Sequence, residues 1–371
     1  MFEDKIKKLR NGMSRVGIDA VFISSVSSIA YLSGFTNFSK DEREGYIFLG
    51  KDFKYIITDG RYSEAVRKSV THLTLFERGA DNLIKNLFKK HQIKILGIEE
   101  NSLTVQEYKN IKKHFKNLKH FEIGNLKSVK SKDEIEKIKN ACKLGDMAFA
   151  YILKKIKIGV SEKEISYELE KFIKEMGAEF SFPAIVAFGK NSSVPHHQTG
   201  PSTLLVRSGQ EGQFVLLDFG VKFEGYCSDM TRTVFFGNPT EKQEEIYNIV
   251  LQAQQKAVDF VNLQIKLGKK TKGEDVDKVA RDFIIKKDYP SIPHSLGHGI
   301  GMEVHEYPHL SAKSKDELKE GMVFSIEPGI YLPAGRQGIE EAGGVRIEDL
   351  YVYEKKGLKQ ITKSSKLLFS I

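Results

Sequence analysis

Cysteine is scarce in this sequence, and low-complexity segments and short tandem repeats are absent. Among 371 residues only Cys142 and Cys227 carry thiols, and they stand in unrelated sequence contexts. Two such cysteines provide neither a disulfide framework nor a thiolate metal site. Any metal ion must therefore be held by oxygen and nitrogen atoms.

Long apolar runs are also missing. No stretch approaches the roughly 20 apolar residues that cross a bilayer. Residues 1–5, MFEDK, alternate charged with apolar side chains and do not open a signal peptide. We therefore expect a soluble, unexported protein of the cytoplasm that has no membrane partner.

The charge balance is basic but dispersed. The chain has 58 Lys and Arg residues against 49 Asp and Glu residues, and its lysines are scattered through stretches such as 132–143 and 154–174. Binding of nucleic acid requires a concentrated basic stripe or a motif with interleaved aromatic residues, and neither is present. We interpret the basicity as a solvated surface and expect no nucleic-acid partner.

The length of the chain predicts two domains, because single hydrophobic cores stop growing at about 250–300 residues. Residues 1–125 alternate short apolar runs with helical periodicity, which indicates a small α/β domain. A long amphipathic stretch then covers 132–158, with Ser131 as a helix N-cap and Glu134 as its capping-box partner. We place the domains at 1–125 and 126–371.

The second domain has an order of elements that repeats. Two helices precede a pair of strands, and this order then recurs, so we expect two equivalent halves of an α+β fold. The helices include 161–176 and 241–263. The predicted strand pairs are 214–219 with 230–236, and 322–331 with 345–353.

Acidic residues occur where buried strands normally carry none. Asp218 follows the apolar residues 214–217, and Glu327 interrupts another apolar run. A buried carboxylate costs several kcal/mol unless it is paired or bound to a metal, and pairing with Arg232 or Arg346 is the simpler explanation. Four such acids, with a histidine cluster nearby, favour an oxygen-rich metal site instead. These residues are Asp218, Asp229, Glu327 and Glu348, with His294, His298 and His305.

Five separated motifs resemble those of the pita-bread metallopeptidases, a family that includes methionine aminopeptidase, aminopeptidase P and prolidase. They are DFG at 218–220, SDMTRT at 228–233, HSLGHGIG at 294–301, EPG at 327–329 and GVRIED at 344–349. In the first domain, YLSGF at 31–35 and TDGRY at 58–62 are similar to the amino-terminal domain of the proline-directed members. The resemblance implies a creatinase/prolidase-type α/β domain followed by a pita-bread domain, a curved antiparallel sheet with pseudo-twofold symmetry covered by helices.

The resemblance also implies a metal site with two divalent ions. Manganese is the expected metal, with cobalt, zinc or iron as alternatives. The implied ligands are Asp218, Asp229, His298, Glu327 and Glu348. Among these, Asp229 and Glu348 would bridge both ions. Two such ions suit hydrolysis at neutral pH, with Glu327 as the general base and then acid.

The remaining implied site residues line the substrate cleft. His305 matches a donor to the developing oxyanion, and His294 and Arg346 match residues that position the substrate. His196, in the motif VPHH, matches a histidine beside the substrate proline, although its neighbour His197 fits almost equally well.

The expected function is that of an Xaa-Pro aminopeptidase, with an Xaa-Pro dipeptidase (prolidase) as the alternative. A non-catalytic binding module and a metal-free creatinase-like amidinohydrolase are disfavoured, because relatives of those kinds have lost several of the five ligand positions. The resemblance further implies a homodimer. The segment 330–343 is longer than the usual turn, which predicts a loop insertion near the mouth of the cleft.

Overall fold

The computed structural model describes residues 2–39, 42–78, 83–205, 212–333 and 343–368. The chain divides into two compact units, Met1–Lys127 and Ser128–Ile371. Within the described ranges, no helix combines the length and the apolar character needed to cross a membrane.

The first unit is built on a six-stranded mixed sheet with the order β4-β3-β2-β1-β5-β6. Strands β1 and β2 are buried at every residue, as expected for the centre of a sheet. The elements are α1 (Phe2–Val16), β1 (Ala20–Ile23), α2 (Val26–Ser33), β2 (Gly45–Gly50), β3 (Lys54–Thr58), α3 (Gly60–Ser69), β4 (Thr74–Glu77), α4 (Leu83–Lys90), β5 (Leu96–Ile98), α5 (Val105–His114), β6 (Leu118–His120) and α6 (Gly124–Ser128).

The second unit repeats a pair of helices followed by antiparallel strands. Its first half contains α7 (Lys132–Leu153), α8 (Glu162–Glu175), β7 (Glu179–Phe180), β8 (Ile185–Phe188), a 3₁₀ turn (Gly189–Ser193), β9 (Gln213–Phe219), β10 (Val221–Phe223), β11 (Tyr226–Cys227) and β12 (Met230–Phe236). Its second half contains α9 (Glu241–Lys266), α10 (Gly273–Ile285), β13 (Gly297–Gly299), β14 (Glu306–Leu310), β15 (Val323–Ile326), β16 (Gly329–Leu332), β17 (Gly343–Arg346), β18 (Asp349–Glu354) and β19 (Gly357–Gln360).

Each half has its own apolar core between its helices and its strands. In the first half, α7 and α8 pack on β8, β9 and β12 through residues such as Ile165 and Leu217. In the second half, α9 and α10 pack on β15 and β17 through residues such as Val250 and Phe324. This arrangement agrees with the two equivalent halves that the sequence predicted.

The long helices begin where the sequence signals their start. Ser131 accepts a hydrogen bond from the Glu134 backbone, and the Glu134 side chain accepts one from the Ser131 backbone, so the predicted capping box is confirmed. The predicted end of this helix at residue 158 is wrong, because α7 ends at Leu153. The apolar pattern runs on past that point because Ile156, beyond the end of the helix, is also buried in the core.

Both predicted strands of the second half are interrupted at their carboxylates. Glu327 lies between β15 and β16, and Glu348 lies between β17 and β18. At each break the backbone bonds elsewhere, since Glu327 N donates to Leu296 O at 2.8 Å and Glu348 N donates to Thr231 O at 3.1 Å. Pro328 has no N–H to continue a ladder. The breaks allow both carboxylates to leave the regular strand alternation.

Candidate active site

The first half of the second unit supplies Asp218 and Asp229. Asp218 is in β9, opposite Thr231 of β12 in the antiparallel register, and Asp229 directly precedes β12. Both are buried. Between them, a Cβ atom at Gly220 would lie 2.0 Å from the backbone oxygen of Ser228, so only glycine allows the chain to pass this closely.

The second half supplies Glu327, Glu348 and His298. His298 is the central residue of β13, between Gly297 and Gly299. A Cβ atom at either glycine would lie 2.0–2.1 Å from a backbone oxygen of a neighbouring strand. The GHG sequence therefore lets β13 lie against both neighbours while only the imidazole projects toward the carboxylates.

The two sets of side chains meet in one cluster. His298 Nε2 lies 3.3 Å from Glu327 Oε1 and 3.7 Å from Asp229 Oδ2. Asp229, His298 and Glu348 present ligand atoms that all lie within 4.8 Å of one another. Thr231 Oγ1 donates to Glu348 Oε2 at 2.8 Å and so ties the carboxylate of one half to a strand of the other.

The oxygen atoms of this cluster are suited to a divalent cation. Asp229 Oδ1 and Glu348 Oε1 are buried, and neither has a hydrogen-bond partner among the described residues. Buried carboxylate oxygens in proteins are normally bonded. Carboxylate and imidazole donors with unused lone pairs are the ligands that manganese, iron, cobalt and zinc accept. The residues present therefore fit the metal site that the sequence predicted.

The electrostatics of the metal-free chain point to the same conclusion. Burial raises the pKa of Asp229 and of Glu348 well above their usual range, and neighbouring carboxylates raise both further. Burial also raises the pKa of Asp218, although the Arg346 guanidinium opposes this shift. Several carboxylates brought together in a desolvated site repel one another, and a bound cation reverses that effect by stabilising their ionised forms.

His298 and Glu327 stabilise each other's charge. Burial opposes ionisation of both groups, but their hydrogen bond and the attraction of neighbouring opposite charges together outweigh it, so the pKa of His298 rises to about 9 and that of Glu327 falls. His298 Nδ1 lies 3.2 Å from the Gly299 carbonyl oxygen, which fixes the orientation of the ring. Since an imidazole ligand must be neutral, cation binding at Nε2 has to displace a proton from His298.

Arg346 is the partner of Asp218. Its Nη2 donates to Asp218 Oδ2 at 2.6 Å, and its Nε donates to Thr231 Oγ1 at 3.0 Å. The simpler explanation for a buried acid, pairing with an arginine, thus holds for Asp218. Arg232 pairs with Asp349 instead, at 2.6 Å.

A cavity of about 490 Å³ brings the predicted site residues together. All nine of them line it: Asp218, Asp229, His298, Glu327, Glu348, His196, His294, His305 and Arg346. Phe182, Pro183, Ile185 and Val304 add an apolar wall. His196 is the histidine that faces the cavity, whereas Nε2 of His197 lies 2.9 Å from Oε2 of the buried Glu162.

The cleft histidines differ in their hydrogen bonding. His294 Nδ1 donates to Ser295 O at 2.8 Å, so in the neutral ring Nε2 accepts from Tyr331 Oη, also at 2.8 Å. Burial lowers the pKa of both His294 and His305, and the His298 ring, 4.4 Å from that of His305, contributes to the second shift. Both side chains are therefore neutral at pH 7.

Tyr331 and His309 were not predicted. Tyr331 Oη accepts from Arg346 Nη1 at 2.7 Å and connects that arginine to His294. Burial raises the pKa of Tyr331 to about 12. The unbroken strand that the sequence predicted over 322–331 would have placed Tyr331 on the same face as Glu327. His309 lines the cavity and lies opposite His298 in the β13–β14 register.

The predicted loop insertion at 330–343 falls mostly on residues 334–342, which lie outside the described residues. Its two ends are described. Strands β16 and β17 pair in antiparallel register from Gly329 with Arg346 to Leu332 with Gly343.

Comparisons with known proteins show the family and the fold. Residues 136–355 match the model of Metallopeptidase family M24, and residues 5–138 match that of the Creatinase/Prolidase N-terminal domain. An Xaa-Pro dipeptidase of Pyrococcus horikoshii is 36% identical over 99% of this chain and 99% of its own. The structure of an Xaa-Pro dipeptidase from Bacillus anthracis has a TM-score of 0.89 at 36% identity and covers 100% of both chains. That of an X-Pro aminopeptidase from Thermotoga maritima has a TM-score of 0.82 at 32% identity and covers 97% of this chain and 100% of its own. The predicted fold class is confirmed.

Proposed function

Because the chain belongs to metallopeptidase family M24 and begins with a Creatinase/Prolidase N-terminal domain, we propose that it hydrolyses Xaa-Pro dipeptides. The predicted family and the predicted class of metallo-exopeptidase are confirmed by these matches and by the dipeptidase relatives. The observation that carries the proposed activity is the cavity in which four carboxylates, five histidines and Arg346 converge beside an apolar wall.

The dipeptidase assignment replaces the aminopeptidase expected from the sequence. Two of the relatives described above are Xaa-Pro dipeptidases and one is an X-Pro aminopeptidase, and the dipeptidases have the higher identity. The cavity volume of about 490 Å³ is in the range of sites for small ligands. A short substrate with a compact proline ring suits such a cavity.

Asp218, Asp229, His298, Glu327 and Glu348 are the residues proposed to hold two divalent ions. When bound, such ions supply Lewis acidity toward the attacking water and the scissile carbonyl group. We propose manganese as the metal because four carboxylates with one imidazole form a predominantly hard donor set. The cytoplasm is proposed as the compartment, and a homodimer as the assembly.

The chain's own groups have separate proposed roles. Glu327 is ionised at neutral pH, since His298 lowers its pKa, and can accept a proton from the attacking water at a carboxylate oxygen. His305, neutral and at the edge of the cavity, can donate a hydrogen bond to the developing oxyanion. His294 is held by its hydrogen bonds to Ser295 and Tyr331 and helps to position the substrate. His196 contacts the proline side of the substrate.

Three substrates test the proposal. The wild-type enzyme, loaded in turn with Mn, Co, Zn or Fe, is assayed on Met-Pro, Met-Pro-Ser and Met-Ala-Ser by following released methionine. We expect the fastest release from Met-Pro, because a pocket shaped for the pyrrolidine ring gains contacts that alanine cannot provide.

The other outcomes are decisive. Faster cleavage of Met-Ala-Ser than of Met-Pro-Ser overturns the proline specificity. Faster cleavage of Met-Pro-Ser than of Met-Pro restores the aminopeptidase assignment. Chelator-treated enzyme is the control and is expected to be inactive on all three substrates until metal is returned.

A further inference from the structure

We propose that Glu162 is a positioning residue that fixes the loop bearing His196 at the wall of the cavity. Glu162 is the first residue of α8 and lies outside the cavity lining. Its side chain is fully buried. The importance of this role for catalysis rests on the proposed function, but the structural role can be measured without it.

The Glu162 carboxylate gathers four donors from one short segment. Oε1 accepts from the Phe188 backbone at 2.8 Å and from Asn191 Nδ2 at 2.7 Å. Oε2 accepts from His197 Nε2 at 2.9 Å and from the Gly200 backbone at 3.1 Å. No lysine or arginine pairs with Glu162 in the described part of the chain. The burial of this charge is therefore compensated by the segment 188–200 itself.

His196 depends on this segment for its position. Its side chain makes no hydrogen bond to any described residue and faces the cavity. Its neighbour His197 is bound to Glu162, and the preceding carbonyl, Pro195 O, accepts from Arg346 Nη1 at 3.2 Å. The segment is thus held on one side by α8 and on the other by β17. The position of this backbone determines the position of the His196 ring.

Strand β17 fits this segment closely. The Gly344 backbone donates to Ser192 Oγ at 2.8 Å, and a Cβ atom at Gly344 would lie 2.2 Å from Ser192 O. The segment and β17 are already in close backbone contact here, so the segment has little room to move toward the cavity. Loss of the Glu162 contacts therefore frees the side of the segment that faces α8.

The other half of the second unit contains a corresponding arrangement, in which a buried carboxylate holds the segment of a cleft histidine. Asp277, buried in α10, accepts from Arg281 Nε at 2.8 Å and from the Leu296 backbone at 3.2 Å. Arg281 Nη2 in turn donates to His294 O at 3.0 Å. Helices α8 and α10 are the second helices of their halves, so each half holds one cleft histidine through a buried carboxylate of the equivalent helix. The arrangement of Asp277 with His294 therefore provides a matched control for that of Glu162 with His196.

Double-mutant cycles test the proposal. In the metal-loaded enzyme, Glu162→Gln is expected to lower kcat/KM for Met-Pro by about 10- to 100-fold, since a displacement of about 1 Å can cost about 100-fold. In the His196→Ala background the same substitution is expected to have little further effect, because the group it positions is gone. Asp277→Asn is expected to keep its full effect in the His196→Ala background and to lose it in His294→Ala.

The controls separate positioning from general damage. Glu170→Gln makes the same chemical change on the exposed face of α8 and is expected to leave activity unchanged. Metal content, measured by elemental analysis, is expected to stay at the wild-type value in Glu162→Gln. If that variant does not fold, His197→Phe, which keeps a planar ring but removes one of the four donors, is expected to give the same coupling with His196 at smaller amplitude.

Nuclear magnetic resonance provides a readout independent of activity. In protein labelled with ¹³C-histidine, Glu162→Gln is expected to shift or broaden the His196 ring signal and to leave that of His305 unchanged. Equal losses from Glu162→Gln with and without His196, or an unchanged His196 signal, overturn the positioning role. A wild-type protein that fails to cleave Met-Pro overturns only the proposed function, because the resonance test still decides the role of Glu162.

Discussion

At the scale of single residues, the cluster around Asp229 is defined by what its oxygen atoms contact. Asp229 Oδ2 faces His298 at 3.7 Å, and Oδ1 is buried with no hydrogen-bond partner among the described residues. Glu348 Oε1 is in the same position, while its Oε2 is held by Thr231. Two carboxylates that each keep one unused buried oxygen can offer that oxygen to a cation, which supports their proposed role as shared ligands. Asp218, whose oxygen binds Arg346, differs in this respect.

The unbonded oxygen of Asp229 and its place in the cluster lead to a prediction for a variant that lacks this carboxylate. The Asp229→Ala variant is expected to lose more than one equivalent of metal per chain, because Asp229 is proposed as a ligand of both ions. Elemental analysis after gel filtration measures the content. Asp259→Ala, a surface substitution on α9, is the control and is expected to retain two equivalents. An Asp229→Ala protein that still holds two tightly bound ions would show that Asp229 does not bridge.

At the scale of elements, a buried ion pair joins the strands of the two halves. Arg232 of β12 and Asp349 of β18 are almost fully buried and lie 2.6 Å apart. Arg232 Nη1 also donates to Glu348 O at 2.5 Å, and Lys366 Nζ lies 2.8 Å from Asp349 Oδ2. The pair thus holds the backbone of a predicted metal ligand and fastens the segment that follows β19.

Breaking this pair is expected to be costly. Asp349→Asn should lower the free energy of unfolding by about 3–5 kcal/mol, because it leaves the Arg232 charge buried without its partner. Urea unfolding followed by circular dichroism measures the change.

The control is Asp282→Asn, which breaks the exposed pair with Lys278 on α10. Little change is expected there, since water screens exposed pairs. Equal midpoints for the two variants would contradict the structural importance of the buried pair.

At the scale of the whole molecule, the property to be tested is the number of chains in the assembly. The resemblance to proline-directed relatives predicts a homodimer. Light scattering at micromolar concentration is expected to give twice the chain mass of 42.0 kDa. A mass of one chain under these conditions would refute the dimer. The same measurement on the chelator-treated protein shows whether assembly depends on metal.

Much of the site could be predicted from the sequence because its signals are local. Asp218 follows one apolar run and Glu327 interrupts another, and a charge in such a place indicates either a partner or a metal. His298 lies between two glycines, and such glycines indicate a close approach of neighbouring backbones. The Ser131–Glu134 capping box lies within one helical turn. Each of these patterns spans only a few residues, so it can be recognised without knowledge of the fold.

The rest was decided by the tertiary structure, because it depends on contacts between distant segments. Arg346 reaches Asp218 across 128 residues, and the choice between Arg232 and Arg346 as its partner could not be made from either neighbourhood. His196 and His197 are chemically equal in the sequence, and only the position of Glu162, 35 residues from His197, separates them. The strand breaks at Glu327 and Glu348 arise because their backbones bond to Leu296 and Thr231. Local patterns determine which residues carry the chemistry, whereas long-range hydrogen bonds determine which of them meet.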